Sequence, residues 1–236
     1  MKKPDRFIKL YLIAELLLLI AVKAADLTAA PAWTVGAAGF AAILLNAAAA
    51  FFYYRRYGRE RRAWRAPAAE RENLVAYALF VTLAGDFFLT LIGTEAVFVP
   101  GIALFCLAEI LYAAYLGPCA WSVALQTALT AAGLVVLQRT GNFSVASALG
   151  ALDLALLTVN MLMAWTSAAK RTSLLFKLGI TLFFLCDSFI ALRMVTAGTV
   201  RDVVAFMVWV FYAPSQVAIT LSYVRAAAQK ESGGDV

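Results

Sequence analysis

The 236 residues are 64% hydrophobic and only 14% charged, a composition that excludes a soluble domain and indicates an integral membrane protein. The formal net charge is +6, but the basic residues fall between the apolar stretches, where they set membrane topology, so we expect no nucleic-acid partner. The chain has no histidine, which excludes His-containing catalytic triads and His-ligated metal sites.

Apolar stretches of about 20 residues, the length that a membrane-spanning helix needs, fill most of the chain. Proline and glycine mark the breaks between them. The sequence therefore predicts an all-α, polytopic membrane protein, with residues 1–236 forming one transmembrane domain of eight helices. The predicted spans are 7–25, 33–54, 73–92, 97–116, 119–138, 143–166, 173–196 and 201–225. The first begins like a signal peptide, but Glu15 and Lys23 lie within it and a second span follows, so we predict a retained helix.

The basic residues are distributed unevenly between the two sides of the membrane. With the N-terminus inside, 16 lysines and arginines fall in inner segments and only four fall outside. The positive-inside rule then predicts both termini in the cytoplasm, and we expect a bacterial-type inner (cell) membrane. The arginine-rich segment 55–65 is interpreted as an orientation anchor, with an anionic-lipid headgroup site as the alternative.

Five carboxylic acids fall within the predicted spans, and no lysine or arginine lies at a comparable depth to neutralise them. They are Glu15, Asp86, Glu109, Asp153 and Asp187. An acid at membrane depth costs several kcal/mol unless it is neutral, paired or hydrated, so each is a candidate functional residue. For Glu15, as for Asn46, contact with neighbouring helices or with the inner interface is the more favoured interpretation.

Asp86 and Asp187 are predicted to lie at similar depth, since both stand roughly 20 Å from the inner ends of helices that run in the same direction. If they meet, repulsion between like charges would leave one acid protonated and the other ionised. Hydrolysis of an acid-labile ether or acetal requires this division between acid and base. The alternative is structural, a hydrogen-bonded pair that holds two helices together.

Other polar residues predict a cavity wall among spans three, four, seven and eight. Glu109 shares a helix face with Phe105 and Tyr112. A stripe on span eight, interrupted by Pro214, contains Tyr212, Gln216, Thr220 and Tyr223. Asp153 and Asn160, two turns apart on span six, form a weaker pair of the same kind. Hydrogen bonding between helices is the competing interpretation for all of them.

Four short motifs occur in order along the chain from span three onward. They are Gly85-Asp86 with Leu89, Phe105-x-x-x-Glu109-x-x-Tyr112, Asp187-Ser188, and Tyr212-x-x-x-Gln216. In order and spacing they resemble the lysoplasmalogenase-like (YhhN) family of eight-span membrane proteins. The family pattern commonly has histidine where this chain has Glu109, so the expected site contains three acids and no imidazole. Glu109 is then either an alternative proton carrier or a sign of a different substrate or of lost activity.

The resemblance implies hydrolysis of the vinyl ether bond of lysoplasmalogen, a lysophospholipid, to a fatty aldehyde and glycerophospho-ethanolamine or -choline. Asp86 and Asp187 would be the catalytic acid and base, in an order that the sequence does not define. The expected substrate-binding or supporting residues are Glu109, Tyr112, Tyr212, Gln216, Ser188, Asp153 and Asn160. The chemistry needs no metal and no cofactor, and the expected partners are the substrate and membrane lipid.

Two other classes of protein place acids in the membrane. A non-enzymatic lipid-binding or proton-coupled transport protein would use the same acids, but broken helices in corresponding halves are typical of transporters, and only Pro214 lies in mid-span here. An intramembrane aspartyl protease resembles a Gly-x-Gly-Asp pattern, and Leu83-Ala84-Gly85-Asp86 lacks its first glycine.

Overall fold

The chain is helical throughout the part that the computed structural model describes, which is residues 6–28, 31–55, 67–166 and 172–231. Those residues form eight α-helices and no strand, so the predicted all-α class is confirmed. The helices are α1 (Arg6–Leu27), α2 (Ala32–Tyr53), α3 (Pro67–Asp86), α4 (Glu95–Leu116), α5 (Ala120–Thr140), α6 (Val145–Trp165), α7 (Leu174–Val195) and α8 (Gly198–Glu231). A π-helical segment, Phe87–Ile92, extends α3. The arginine-rich segment, apart from Arg55, lies outside the described residues.

Seven of the eight described helices, α2 to α8, are long and apolar enough to cross a membrane. The sequence predicts eight spans, and α1 is the helix that does not meet the criteria of length and composition for a membrane span. It has 22 residues, but charged residues are distributed along it (Arg6, Lys9, Glu15, Lys23 and Asp26). The eighth span and the cytoplasmic position of both termini therefore stay predictions.

Five helices, α3, α4, α6, α7 and α8, surround the interior of the bundle. The pairs α3 and α4, α4 and α6, α6 and α7, and α7 and α8 all pack against each other, while α1 and α2 pack on α8. Large side chains such as Tyr112, Phe176 and Phe183 fill the interior and are at most 1% exposed. Many leucines, isoleucines and phenylalanines face outward, as a helix bundle in lipid requires.

A glycine allows α7 and α8 to approach each other closely. A Cβ atom added at Gly179 would lie 2.6 Å from Cγ1 of Ile219, and 3.0 Å from both the Ile219 backbone nitrogen and the Ser215 carbonyl oxygen. Because two of these three atoms belong to the α8 backbone, the clash could not be relieved by a side-chain rotation alone. Small residues at such contacts are typical of helix packing in membranes.

We expect Gly179→Ala to lower the melting temperature of the detergent-purified protein. Overpacking at a close contact destabilises by about 1–3 kcal/mol, which should outweigh the gain in helix propensity of about 1 kcal/mol. Gly150→Ala in α6 is the matched control, since a Cβ there would have no atom within 4 Å, and it should be neutral or stabilising. Equal melting temperatures for the two variants would contradict the proposed close contact.

Candidate functional site

Asp86 is the last residue of α3 and lies where the helix changes to π-helical geometry. Its side chain is buried, with 2% exposure. Downstream, the Gly93 backbone N–H donates to the Phe88 carbonyl at 2.9 Å, and the Thr90 hydroxyl donates to the Asp86 carbonyl at 2.5 Å. π-Helical turns occur frequently at functional sites, which makes this acid the starting point of the candidate site.

Gly85 explains how α3 and α4 can pack closely beside this acid. A Cβ atom at position 85 would lie 2.8 Å from the Phe105 ring and 3.3 Å from the Gly101 carbonyl oxygen. A larger residue would therefore push Phe105 away from the interior. The Phe105 ring also packs near Phe183, at 6.1 Å between ring centroids, so the glycine supports the arrangement of several aromatic rings.

The hydroxyl of Tyr212, on α8, donates a hydrogen bond to Oδ2 of Asp86. Tyr212 is 5% exposed, and its ring packs 5.6 Å from the rings of both Phe183 and Trp209. These rings hold the tyrosine in place. Asp86 consequently has a fixed hydrogen-bond donor in an otherwise apolar environment.

Asp187, on α7, lies beside Asp153 of α6, and the two carboxyl groups interact electrostatically. Two carboxyl groups this close can hydrogen-bond if one of them is protonated. Asp153 is 7% exposed, whereas Asp187 is only partly buried. The immediate neighbour of Asp187 is thus an acid of α6, and a direct contact between Asp86 and Asp187 stays a prediction.

The two acid pairs are nevertheless neighbours. The thiol of Cys186 lies within electrostatic range of both Asp187 and Asp86. Tyr212 likewise lies within electrostatic range of Asp187 while it donates to Asp86. Asp86 and Asp187 therefore belong to one polar cluster. Tyr212 and Cys186 each lie near both of these acids.

Glu109 joins the same cluster from α4. The side-chain amide of Asn160, on α6, donates to the Glu109 carboxylate Oε2 at 2.8 Å and to its backbone carbonyl at 2.9 Å. Glu109 is fully buried and interacts electrostatically with Asp153 and Asp187. Glu109 is thus held between two helices, beside the other acids.

The remaining predicted site residues have different surroundings. The Tyr112 hydroxyl faces Thr82 of α3. Ser188 donates to the carbonyl of Phe184 in its own helix at 2.7 Å, so that hydroxyl is not directed to an acid. Gln216 is fully buried, yet neither polar atom of its amide has a partner among the described residues.

The acids lie in a largely buried interior. Asp86, Glu109 and Gln216 are at most 2% exposed, and buried aromatic rings pack between the helices. The predicted cavity stays a prediction, but the predicted set of surrounding helices was incomplete, because α6 contributes both Asp153 and Asn160. Helix α8 continues through Pro214, and the Ser215 hydroxyl donates to the Tyr212 carbonyl at 2.7 Å.

Two cysteines lie beside the acids, although the sequence analysis did not count them among the site residues. The Cys106 thiol donates to the Leu149 carbonyl at 3.5 Å and lies within electrostatic range of Asp153, and Cys186 lies within electrostatic range of Asp187. The positions of the cysteines in the sequence could have indicated this proximity to the acids, since Cys186 directly precedes Asp187 and Cys106 lies one helical turn before Glu109.

A second buried polar cluster joins α1 to α2. The Asn46 amide donates to Glu15 Oε1 at 2.8 Å and to the Ala42 carbonyl at 2.9 Å, and the Tyr11 hydroxyl donates to Asn46 Oδ1 at 2.5 Å. The sequence analysis favoured a contact between Glu15 and a neighbouring helix. It did not include Tyr11 in this contact, although Tyr11 lies four residues before Glu15 and therefore on the same helix face.

The fold and this cluster together define a polytopic α-helical membrane protein with buried acids shared among five helices. The YhhN family model matches residues 38–223, which is well over half of the chain, and the protein belongs to the YhhN family. The match extends from α2 to α8 and includes all residues of the acid cluster. Comparison with curated proteins and with solved structures gave no match.

The bond between Asn160 and Glu109 can be tested by a double-mutant cycle on protein stability. Asn160→Leu leaves a buried carboxyl group without its donor, and we expect a loss of about 1.5–3 kcal/mol. Removing both polar groups with Glu109→Leu and Asn160→Leu should destabilise less than the sum of the single variants, by about 1–3 kcal/mol. Reversible unfolding in detergent would measure these values, and additive effects would contradict a direct interaction.

Proposed function

We propose that this protein is a membrane-embedded hydrolase that cleaves the vinyl ether bond of a lysoplasmalogen, a lysophospholipid. The products are a fatty aldehyde and glycerophospho-ethanolamine or -choline. Membership of the YhhN family supports this proposal. The observation that carries it is the difference in the surroundings of the two aspartates: Asp86 accepts a hydrogen bond from a tyrosine, whereas Asp187 lies beside a second carboxyl group, that of Asp153.

The reaction needs both kinds of acid. A vinyl ether is hydrolysed by transfer of a proton to the double-bond carbon that is not attached to oxygen, which leaves an oxocarbenium ion. A nearby carboxylate stabilises that positive charge and accepts a proton from the attacking water. The resulting hemiacetal collapses to the aldehyde and the glycerol hydroxyl group. The mechanism uses no metal and no redox cofactor.

Asp187 is the proton donor in this mechanism and Asp86 is the carboxylate. A proton held between Asp187 and Asp153 would be available for transfer, and by exposed surface Asp187 is also the least buried acid of the cluster. Asp86 accepts a bond from the Tyr212 hydroxyl, which orients this carboxyl group for the role of the carboxylate. Both groups would contact the substrate, so they are the catalytic residues of the proposal.

The other polar residues position the two catalytic aspartates or bind the substrate. Tyr212 orients Asp86, while Glu109, held by Asn160, can return a proton to the Asp153 and Asp187 pair. The free amide of Gln216 can hydrogen-bond a polar oxygen of the substrate. Because the interior is closely packed, the substrate must separate helices to enter, and its apolar chain suits entry from the bilayer.

We also propose that α1 is an eighth span and that both termini are cytoplasmic, in a bacterial inner membrane. The charges of α1 have partners within the bundle, which supports its insertion. Glu15 is bonded to Asn46, and the Lys23 ammonium group binds Asp26 and the carbonyl of Phe206, both at 2.7 Å. The excess of basic residues at one end supports the orientation.

A proton-coupled transporter or lipid-binding protein is the second candidate. The observation that favours it is the burial of the acids, since Asp86 and Glu109 are at most 2% exposed. The same acids would then bind and release protons during a conformational change. Release of aldehyde separates this candidate from the hydrolase.

Asp86→Asn and Asp187→Asn should each abolish aldehyde release from lysoplasmalogen by purified protein. The amide keeps the size of the side chain but can neither donate an acidic proton nor accept one, and general acid or base catalysis contributes about 10²–10⁴-fold. Asp202→Asn is the matched control, because Asp202 is an exposed aspartate near the beginning of α8, and it should keep full activity.

The outcome separates the two candidate functions. If the folded wild-type protein binds the substrate but releases no aldehyde, the hydrolase proposal is wrong and the transport proposal is favoured. If wild-type protein is active and one aspartate variant keeps full activity, the proposed role of that residue is wrong.

Tyr212→Phe tests the positioning of Asp86 separately from packing. The ring is retained and only the donated hydrogen bond is lost, so we expect kcat to fall about 10–100-fold while KM changes little, as for a positioning residue of a general acid or base. Tyr54→Phe is the control, since its hydroxyl lies 3.2 Å from that of Tyr77 at the surface. An unchanged kcat in Tyr212→Phe would show that Asp86 does not depend on this tyrosine.

A further inference from the structure

A groove of about 310 Å³ lies between the first turns of α7 and the last turns of α8. It opens beyond the close contact of Gly179 with Ile219, on the side away from the acid cluster. Its lining includes three leucines, two serines and one arginine: Leu174, Leu175, Leu178, Ser173, Ser222 and Arg225. The groove is therefore apolar along α7 and carries a positive charge on α8.

Arg225 is the main polar feature of the groove. Its guanidinium group is exposed and forms no ion pair or hydrogen bond with any part of the chain that the structure describes. An arginine is strongly suited to bind phosphate because its planar group presents several N–H donors together. The charge of Arg225 is thus available to a ligand.

The beginning of α7 adds donors on the opposite wall. Ser173 accepts a bond from the Phe176 N–H at 3.2 Å, so the proton of its own hydroxyl is not used in that bond. The N–H groups of Leu174 and Leu175 belong to the first helical turn, where no intrahelical acceptor exists. The positive end of the helix dipole also favours an anion here.

The apolar wall of the groove matches a hydrocarbon chain. Leu174 is 62% exposed and Leu178 is 43% exposed, and both lie on a helix that is long and apolar enough to cross a membrane. In a bilayer these exposed leucines would be in contact with lipid. The groove therefore combines an anion-binding end with a surface for an acyl chain.

We propose that this groove is a binding site for an anionic phospholipid, with the lipid phosphate at Arg225 and one acyl chain along Leu174 and Leu178. A lipid bound there would connect the beginning of α7 to the end of α8, the two helices that carry Asp187 and Tyr212. The site does not depend on the proposed hydrolase activity.

The lipid that binds in this groove is not a substrate molecule positioned for hydrolysis. Arg225 follows Tyr212 by thirteen residues on one helix, which corresponds to roughly 20 Å along the axis. The phosphate and the vinyl ether of a lysoplasmalogen are attached to the same three-carbon glycerol unit, which cannot span that distance. A phospholipid in the groove is a second lipid.

The test measures retention of phosphatidylglycerol and phosphatidylcholine by the full-length protein, using native mass spectrometry after detergent purification. Wild-type protein should retain phosphatidylglycerol in preference to phosphatidylcholine. Arg225→Gln should weaken phosphatidylglycerol binding about fivefold, the effect typical of one basic residue at a membrane surface, and Arg225→Lys should recover part of it. Ala226→Phe should weaken binding of both lipids by filling the groove while it keeps the charge.

Arg193→Gln is the matched control, because Arg193 is an exposed arginine in the last turn of α7, at the opposite end of the helix. It should retain phosphatidylglycerol like the wild type. Equal retention by Arg225→Gln and wild type would overturn the proposal, as would an equal loss in Arg193→Gln. Displacement of the lipid by millimolar inorganic phosphate would also overturn it, since the site would then recognise a free anion.

Discussion

A carboxyl group inside a membrane protein must find a hydrogen-bonding partner or a proton, and this constraint governs the interior of the bundle. Four pairs of residues satisfy this constraint, and none of these pairs contains a lysine or an arginine. The pairs are Asp86 with Tyr212, Asp187 with Asp153, Glu109 with Asn160, and Glu15 with Asn46. In each pair the two residues lie on different helices, so satisfying the acids also determines which helices are joined.

The arrangement of helices follows these pairs closely. Tyr212 joins α8 to α3, Asn160 joins α6 to α4, and Asp153 joins α6 to α7, while apolar packing fills the remaining space. Helix α5 contains no acidic residue and packs mainly on α6, with most of its surface facing outward. In lipid, where apolar side chains gain little by leaving the bilayer, polar pairs and close small-residue contacts such as that at Gly179 provide much of the specificity of packing.

The sequence was sufficient to predict the helices and the acids but not their pairing. Long apolar stretches define spans because the thickness of the bilayer limits their length, and the predicted boundaries lie within a few residues of those in the structure. Which acids pair depends on the rotation of each helix about its axis and on which helices are neighbours. Neither can be predicted from the depth of a residue in the membrane. Asp86 and Asp187 were placed at the same depth, but Asp153 faces Asp187 from a helix that was given less weight. The partners that Glu15 and Lys23 find on other helices could not be read from the sequence for the same reason.

The packing of the acid cluster has a consequence for the proposed chemistry. An oxocarbenium ion reacts rapidly with water, so a site that admits a single water molecule beside a carboxylate would direct the reaction to one product. Asp86 is buried and accepts a hydrogen bond from a tyrosine that neighbouring rings hold in place, and such surroundings would restrict the entry of water. Asp187 differs in being partly accessible and in lying beside a second carboxyl group. The two aspartates therefore differ in exposure and in hydrogen bonding, and these differences, more than the distance between them, are the physical basis for assigning one as the acid and the other as the base.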